Sequence, residues 1–285
     1  MKKMSFAYVV LAAILWGVIG IFTRVLSVAG LTSLQTVAIR SILSLIIMFF
    51  YIFLKDKSLF KIKLKDIWMF IGTGVFSLTF FNLCYFSAIN ILDLSIASVL
   101  LYTAPCFVMI MSAFVFKENI SKGKILAFIM AFAGCVLISG FSGSFNAKGI
   151  MLGIFAGFGY ALYSIFARIA LNKYNTYTIT FYTFVMSSVA LLPFCQIGKV
   201  VLLLSDFGVF YWSVLLSVVS TVLPYILYTE GLKKISATKA SIIAFIEPVT
   251  ATITGTIMFN EPITVVIIVG MLLVLASIIK ISSNN

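Results

Sequence analysis

The apolar residues of this chain come in ten runs of about 17–22 residues with few charges inside them. Nothing else in the sequence limits the fold as much. A helix rises about 1.5 Å per residue, so each run can cross roughly 30 Å of hydrocarbon. The runs lie near 6–25, 33–54, 67–89, 94–116, 124–140, 149–170, 177–196, 209–230, 236–258 and 263–281. They are continuously apolar rather than alternating, so they do not read as strands of a membrane barrel. The chain is 62% hydrophobic and 10% charged, and a soluble domain of that balance would face water with large apolar patches. The expected fold is an all-α integral membrane protein of ten transmembrane helices with almost no extramembrane domain. The opening stretch, MKKMSFAYVVLAAILWGVIGIF, has the flavour of a signal peptide. Its apolar part is too long for one and no small-x-small cleavage site follows cleanly, so it reads as a retained first helix.

The basic residues orient these helices. With the N-terminus in the cytoplasm, sixteen of the twenty lysines and arginines fall on the cytoplasmic side. They are Lys2 and Lys3, the loop set Lys55, Lys57, Lys61, Lys63 and Lys65, then Lys117, Lys122, Lys124, Arg168, Lys173, Lys233, Lys234, Lys239 and Lys280. That asymmetry predicts a multi-pass protein of the cell (plasma) membrane with both termini inside. It also accounts for the net charge of +12 without nucleic acid as a partner. The chain has no histidine, so it lacks the commonest metal ligand and the usual proton carrier near neutral pH. Its four cysteines lie within apolar runs and form no CxxC pair, as small core residues do.

The sequence repeats itself. Residues 100–118, LLYTAPCFVMIMSAFVFKE, align with 243–261, IAFIEPVTATITGTIMFNE, at an offset of 143. Pro105 meets Pro248, Phe116 meets Phe259 and Glu118 meets Glu261, and further back Tyr85 meets Tyr228. An offset of 144 pairs IFTR at 21–24 with IFAR at 165–168. Two five-helix repeats follow, residues 1–143 and 144–285. Five is odd, so the second repeat would enter the membrane from the opposite side, as in inverted-repeat transporters.

WGVIGIFTR near the start, Arg40 in the second run, YTAPxxxxxxSxxxFKE in the fourth and EPVxAxxxGxxxFNE in the ninth together resemble the EamA family of the drug/metabolite transporter superfamily. The resemblance spans nearly the whole chain as two tandem repeats. It implies ten helices, a cavity lined by both repeats, and a fifth and tenth helix at the periphery. It also implies a small-molecule substrate, often an amino acid, another metabolite or a drug moved outward, and it does not select among them.

The eight acids can be sorted completely. Asp56, Asp66, Asp93, Glu118, Asp206 and Glu261 fall at helix ends or in loops and read as solvated or interfacial charges. Glu230 is close to Lys233 and Lys234, and an ion pair is expected there. Glu247 lies about eleven residues into its helix, near the midplane, where an acid faces the protein interior or a wet cavity. Pro248 follows it and cannot donate to the carbonyl of Ala244, and Pro105 does the same to Leu101, so both helices should open locally. Arg40 is the second deep charge. Its guanidinium cannot lose its proton, which leaves Glu247, a freed carbonyl or a substrate carboxylate as partners. Trp16, Asn82, Tyr85, Tyr102, Tyr160, Tyr163 and Tyr228 complete the candidate wall, suited to an amino acid or an organic cation. Gly17, Gly20, Gly153 and Gly157 are spaced for close helix contact.

The leading expectation is a secondary transporter of a small metabolite, an amino acid or related compound exported by alternating access. A multidrug, organic-cation or choline-type transporter using Glu247 as cation or proton site is the alternative, and an integral membrane enzyme a remote one. No GxxxxGK[ST] occurs, so direct ATP use is not supported. Neither an enzymatic activity nor a cofactor is expected. The partners would be the substrate and the bilayer, in a monomer or homodimer.

Overall fold

A computed structural model describes residues 2–140 and 146–283. The expected boundary between the repeats, 143/144, lies outside the described residues. Among the described residues, ten helical spans are long and apolar enough to cross a membrane: Lys3–Val28, Ser33–Lys55, Leu64–Ile89, Leu94–Val115, Lys122–Ser139, Ala147–Ala170, Thr176–Phe194, Phe207–Leu232, Ala237–Phe259 and Val265–Ser283. They are called the first to the tenth span below. Together with the absence of strands among the described residues, they make the chain a multi-pass, all-α membrane protein.

Turn chemistry places the span ends. Thr32 caps the second span in a capping box with Gln35, and the side chains of Ser121, Asn146, Asn175, Asp206 and Ser236 accept from backbone N–H groups of the helices they open. Each cap satisfies an N–H that has no partner within the helix. The basic 55–66 connection is held by Asp56, which accepts from the backbone N–H and the hydroxyl of Ser58, both at 2.8 Å. Those two donors hold its carboxyl below the usual carboxylate range. The connection after the seventh span carries a helix, Ile197–Leu204, which the hydropathy pattern does not resolve. Val200 on it is buried with Phe22, Leu26 and Leu31.

The spans pair in a pattern. The first packs on the eighth and ninth, the sixth on the third and fourth, the second on the seventh, and the fifth on the tenth. Exchanging every span for the one five places later turns this set of contacts into itself. The irregularities repeat too. The third span widens to a π-helix over Gly72–Thr79 and the eighth over Val218–Val222. In each, a threonine hydroxyl reaches the carbonyl five residues back: Thr79 to Gly74 at 3.0 Å and Thr221 to Leu216 at 3.1 Å. The fourth span breaks between Leu94–Leu101 and Ala104–Val115, and the ninth between Ala237–Ile243 and Ile246–Phe259.

Small residues bring these helices together, because lipid is as apolar as any side chain and close backbone approach must supply the attraction. Gly134 and Gly270 face each other across the fifth and tenth spans, each within 2.7 Å of the other's carbonyl oxygen for an added Cβ. Gly17 meets Thr250 and the carbonyl of Glu247, Gly153 meets Leu100, and Gly157 meets Thr103. Gly20 differs from its expectation: nothing lies within 4 Å of where its Cβ would be. It borders open space and packs no helix.

Candidate functional site

The interior of the bundle holds a ring of aromatic side chains drawn from both halves. Trp16 of the first span lies 5.5 Å from Tyr225 and 5.3 Å from Tyr228 of the eighth, and 6.4 Å from Tyr160 of the sixth. Tyr163 stands edge-on to Tyr225 at 4.9 Å, and Phe81 of the third span edge-on to Tyr160 at 5.3 Å. Such edge-to-face pairs place positive ring edges on negative faces. Two hydroxyl–hydroxyl bonds tie the sixth span to the eighth: Tyr163 with Thr229 at 2.7 Å and Ser164 with Tyr228 at 2.8 Å. Together with Ser77 from the π segment of the third span, these groups line a central cavity. Its space for a water-sized molecule is about 20 Å³, room for about one water. The centre is closed to anything larger in this conformation.

Glu247 stands at the edge of this ring. The hydroxyl of Tyr160 donates to its Oε2 at 3.3 Å. Its neighbour Pro248 lines a second, larger cavity of about 410 Å³ between the first, fourth, fifth and ninth spans. Tyr102, Ser98, Gly17 and Gly20 line it as well, and Arg24 and Glu261 flank it. Glu247 therefore lies between the closed centre and this vestibule. The vestibule is at the end of the bundle away from the described termini, because Arg24 and Glu261 lie at the far ends of the first and ninth spans. Arg24 pairs with Glu261 and lies over the Phe259 ring at 4.1 Å.

Arg40 is buried, with 7% of its surface exposed. Tyr225, Glu247 and Tyr160 are close enough to act on its charge. Its Nε is buried without a hydrogen-bond partner, and among the described residues it forms no ion pair.

The structure thus gathers Glu247, Arg40, Trp16, Tyr160, Tyr163 and Tyr228 at one place. The remaining candidates do not line the central cavity, although Tyr85 and Tyr102, like Arg40, are close enough to Glu247 to feel its charge. Asn82 donates to the carbonyl of Leu78 in its own helix at 2.6 Å. Tyr85 bonds Ser98 at 3.0 Å and lies 6.2 Å from the Phe81 ring. Tyr102 packs on Phe245 at 5.9 Å and faces the vestibule. Tyr225, Ser77, Phe81 and Ser164 line the centre and were not among the sequence candidates. A signal for Tyr225 existed: it precedes Tyr228 by three residues and so shares its helix face.

Two sequence expectations are corrected. The helix openings lie one turn before Pro105 and Pro248, but the carbonyl of Ala244 is not free, since the N–H of Glu247 donates to it at 2.9 Å. A tight i to i+3 turn recaptures the acceptor that the proline released. Asp66 is not a solvated loop charge either. It is buried and accepts from Lys173 at 2.6 Å and Tyr174 at 2.8 Å, because the 55–66 segment folds back onto the end of the sixth span. Glu230 pairs with Lys233 at 2.6 Å, as its spacing suggests.

A multi-pass bundle with a polar, aromatic centre has the build of a carrier for small molecules. The chain belongs to the EamA-like transporter family, whose model matches it twice in tandem, at residues 3–140 and 147–283. It is 30% identical over 251 residues to an "Uncharacterized transporter" of Archaeoglobus fulgidus, covering 86% of this chain and 84% of that protein. It is 24% identical over 258 residues to the "Uncharacterized transporter YxxF" of Bacillus subtilis, covering 88% and 80%. A solved structure described as "Crystal structure of protein" shares the fold, with a TM-score of 0.79 and 15% identity over 98% of this chain and 96% of that one.

Proposed function

We propose that this protein is a secondary transporter, with no catalytic activity, that carries a small polar metabolite outward through the plasma membrane by alternating access. An amino acid or a related compound is the first substrate class. The observation that carries this reading is the Tyr160–Glu247 hydrogen bond at the heart of the bundle. An acid there costs on the order of 2.5–3.5 kcal/mol on insertion scales, and a cavity that takes up cations or protons offsets that cost.

The halves would be oppositely oriented repeats. The self-mapping span contacts and the repeated π segments and breaks support this, and two such halves can rock about a central site. With the termini cytoplasmic, the vestibule opens outward, and a second cavity of about 480 Å³ bordered by Lys3, Lys124, Lys234 and Lys239 lies at the inner end. The protein would act as a monomer or homodimer, coupled to a proton or to the substrate gradient.

The test is transport by purified protein in liposomes with a trapped pH dye, comparing wild type with Glu247→Gln against amino acids, amines and nucleosides. Proton movement on adding one class, lost in the variant, is expected. Transport that survives the substitution unchanged would return Glu247 to a structural role. A second reading has its own support: Trp16, Tyr225 and Tyr228 beside an acid form a wall that also suits a quaternary ammonium. Choline and tetraethylammonium belong in the same panel for that reason.

A further inference from the structure

Arg40 carries the inference. A guanidinium removed from water demands an anion or a set of carbonyl acceptors, because its charge cannot be discharged. Three partners were open to it from the sequence, and two of them are otherwise engaged or unpaired. Glu247 is near, yet the ion pairs among the described residues are Arg24–Glu261, Lys124–Glu118, Lys173–Asp66 and Lys233–Glu230. The carbonyl of Ala244, next to the proline-linked break, is taken by the N–H of Glu247. No aromatic face serves instead, since the cation–ring contacts of the described residues belong to Arg24, Lys55, Lys57 and Arg168.

Arg168 shows what a satisfied arginine looks like in this bundle. It donates to the carbonyls of Leu232 and Ile235 at 3.1 and 2.5 Å. Arg40 is more deeply buried than Arg168, and its Nε has no partner at all. Of the groups that act on its charge, Tyr225, Glu247 and Tyr160, the two tyrosines are themselves walls of the central cavity.

We infer that Arg40 is the receptor for a carboxylate on the transported solute and so sets its class. The solute is a carboxylic acid, and Glu247, near enough to act on the same guanidinium, selects the zwitterionic members, whose amine it can meet. A lone quaternary ammonium leaves the guanidinium buried and unpaired. This inference rests on the reading of the bundle centre as the substrate site.

Paired probes test it. Purified protein is titrated with L-amino acids and 2-oxo acids, each beside its own carboxamide, and with choline and sodium chloride, while the thermal unfolding midpoint is followed. The expected result is that acids bind about tenfold or more tightly than their amides, the worth of a charged hydrogen bond. Arg40→Gln should bring that ratio close to one and leave the amides within about threefold of wild type, and Arg40→Lys should retain part of it. Equal binding of acid and amide by wild type overturns the proposal. So does a ratio that survives Arg40→Gln, or a midpoint moved by choline or chloride and by no carboxylate. Should Arg40→Gln fail to fold, the wild-type ratio and Arg40→Lys decide. A carboxylate that binds through Arg40 but is not carried into liposomes sinks the transport reading and leaves Arg40 as a carboxylate-binding site only. Choline carried without any preference for acids does the reverse.

Discussion

Lys117 and Asn260 stand 143 residues apart and share one left-handed backbone conformation, with φ of 52° and 55°. Each ends a membrane helix. The N–H of the next residue, Glu118 or Glu261, turns back to the carbonyl of Ser112 or Gly255 at 3.2 and 3.4 Å. This is the turn that glycine usually supplies at a helix end. A non-glycine residue there is strained, the more so for lysine than for asparagine. Lys117→Gly should therefore raise stability by about 0.5–1 kcal/mol, while Lys117→Val should lower it by about 1–3 kcal/mol. Thermal unfolding in detergent measures both.

The glutamates that follow these turns have parted ways. Glu261 pairs with Arg24 in the open, with side chains 44% and 52% exposed, whereas Glu118 pairs with Lys124 at 2.6 Å with both side chains close to 90% covered. Exposure decides the energy. Breaking the outer pair by Arg24→Ala should cost no more than about 1 kcal/mol, and breaking the inner one by Lys124→Ala about 3 kcal/mol or more. A double-mutant cycle for each pair, read as unfolding free energy, gives the comparison. Equal coupling energies would contradict it.

The central ring should respond in two grades. Tyr163→Phe and Tyr228→Phe each remove one hydroxyl bond between the sixth and eighth spans and should cost about 1 kcal/mol each. Trp16→Ala removes a ring that touches three tyrosines and should cost about 3–5 kcal/mol, with Trp16→Phe recovering most of it. Tryptophan fluorescence and unfolding midpoints would follow both series.

Gly134 and Gly270 admit no side chain at their crossing. A Cβ on Gly134 would sit 2.6 Å from the carbonyl oxygen of Gly270, and backbone cannot move aside as a flexible side chain can. Gly134→Val should cost about 1–3 kcal/mol through overpacking. Gly20→Ala, where the added carbon meets open space, should leave the midpoint unchanged.

Orientation is checked by labelling intact cells with a membrane-impermeant maleimide. Ser205→Cys, exposed beside the seventh–eighth connection, should react from outside, and Lys61→Cys in the basic 55–66 loop only after permeabilisation. The opposite pattern would reverse the proposed direction of the vestibule.

The spans and their order were legible in the sequence because hydrocarbon imposes a length and tolerates few charges, whichever way a helix turns. The duplication was legible because the Phe-x-Glu turn and the prolines recur at a nearly constant offset. Glu247 and Arg40 stood out for the same reason: a deep charge is conspicuous among apolar neighbours. What each helix face touches was not legible. Lipid and protein interior are both apolar, so a membrane helix carries little pattern to separate the side facing tails from the side facing partners. Tyr225 thus passed unnoticed, while Asn82 and Tyr85 looked equal to Tyr160. Only the packing of distant spans decided that Asn82 answers its own backbone, that Asp66 is buried against Lys173, and that the carbonyl of Ala244 is reclaimed. Only packing left Arg40 enclosed beside Glu247 without pairing to it.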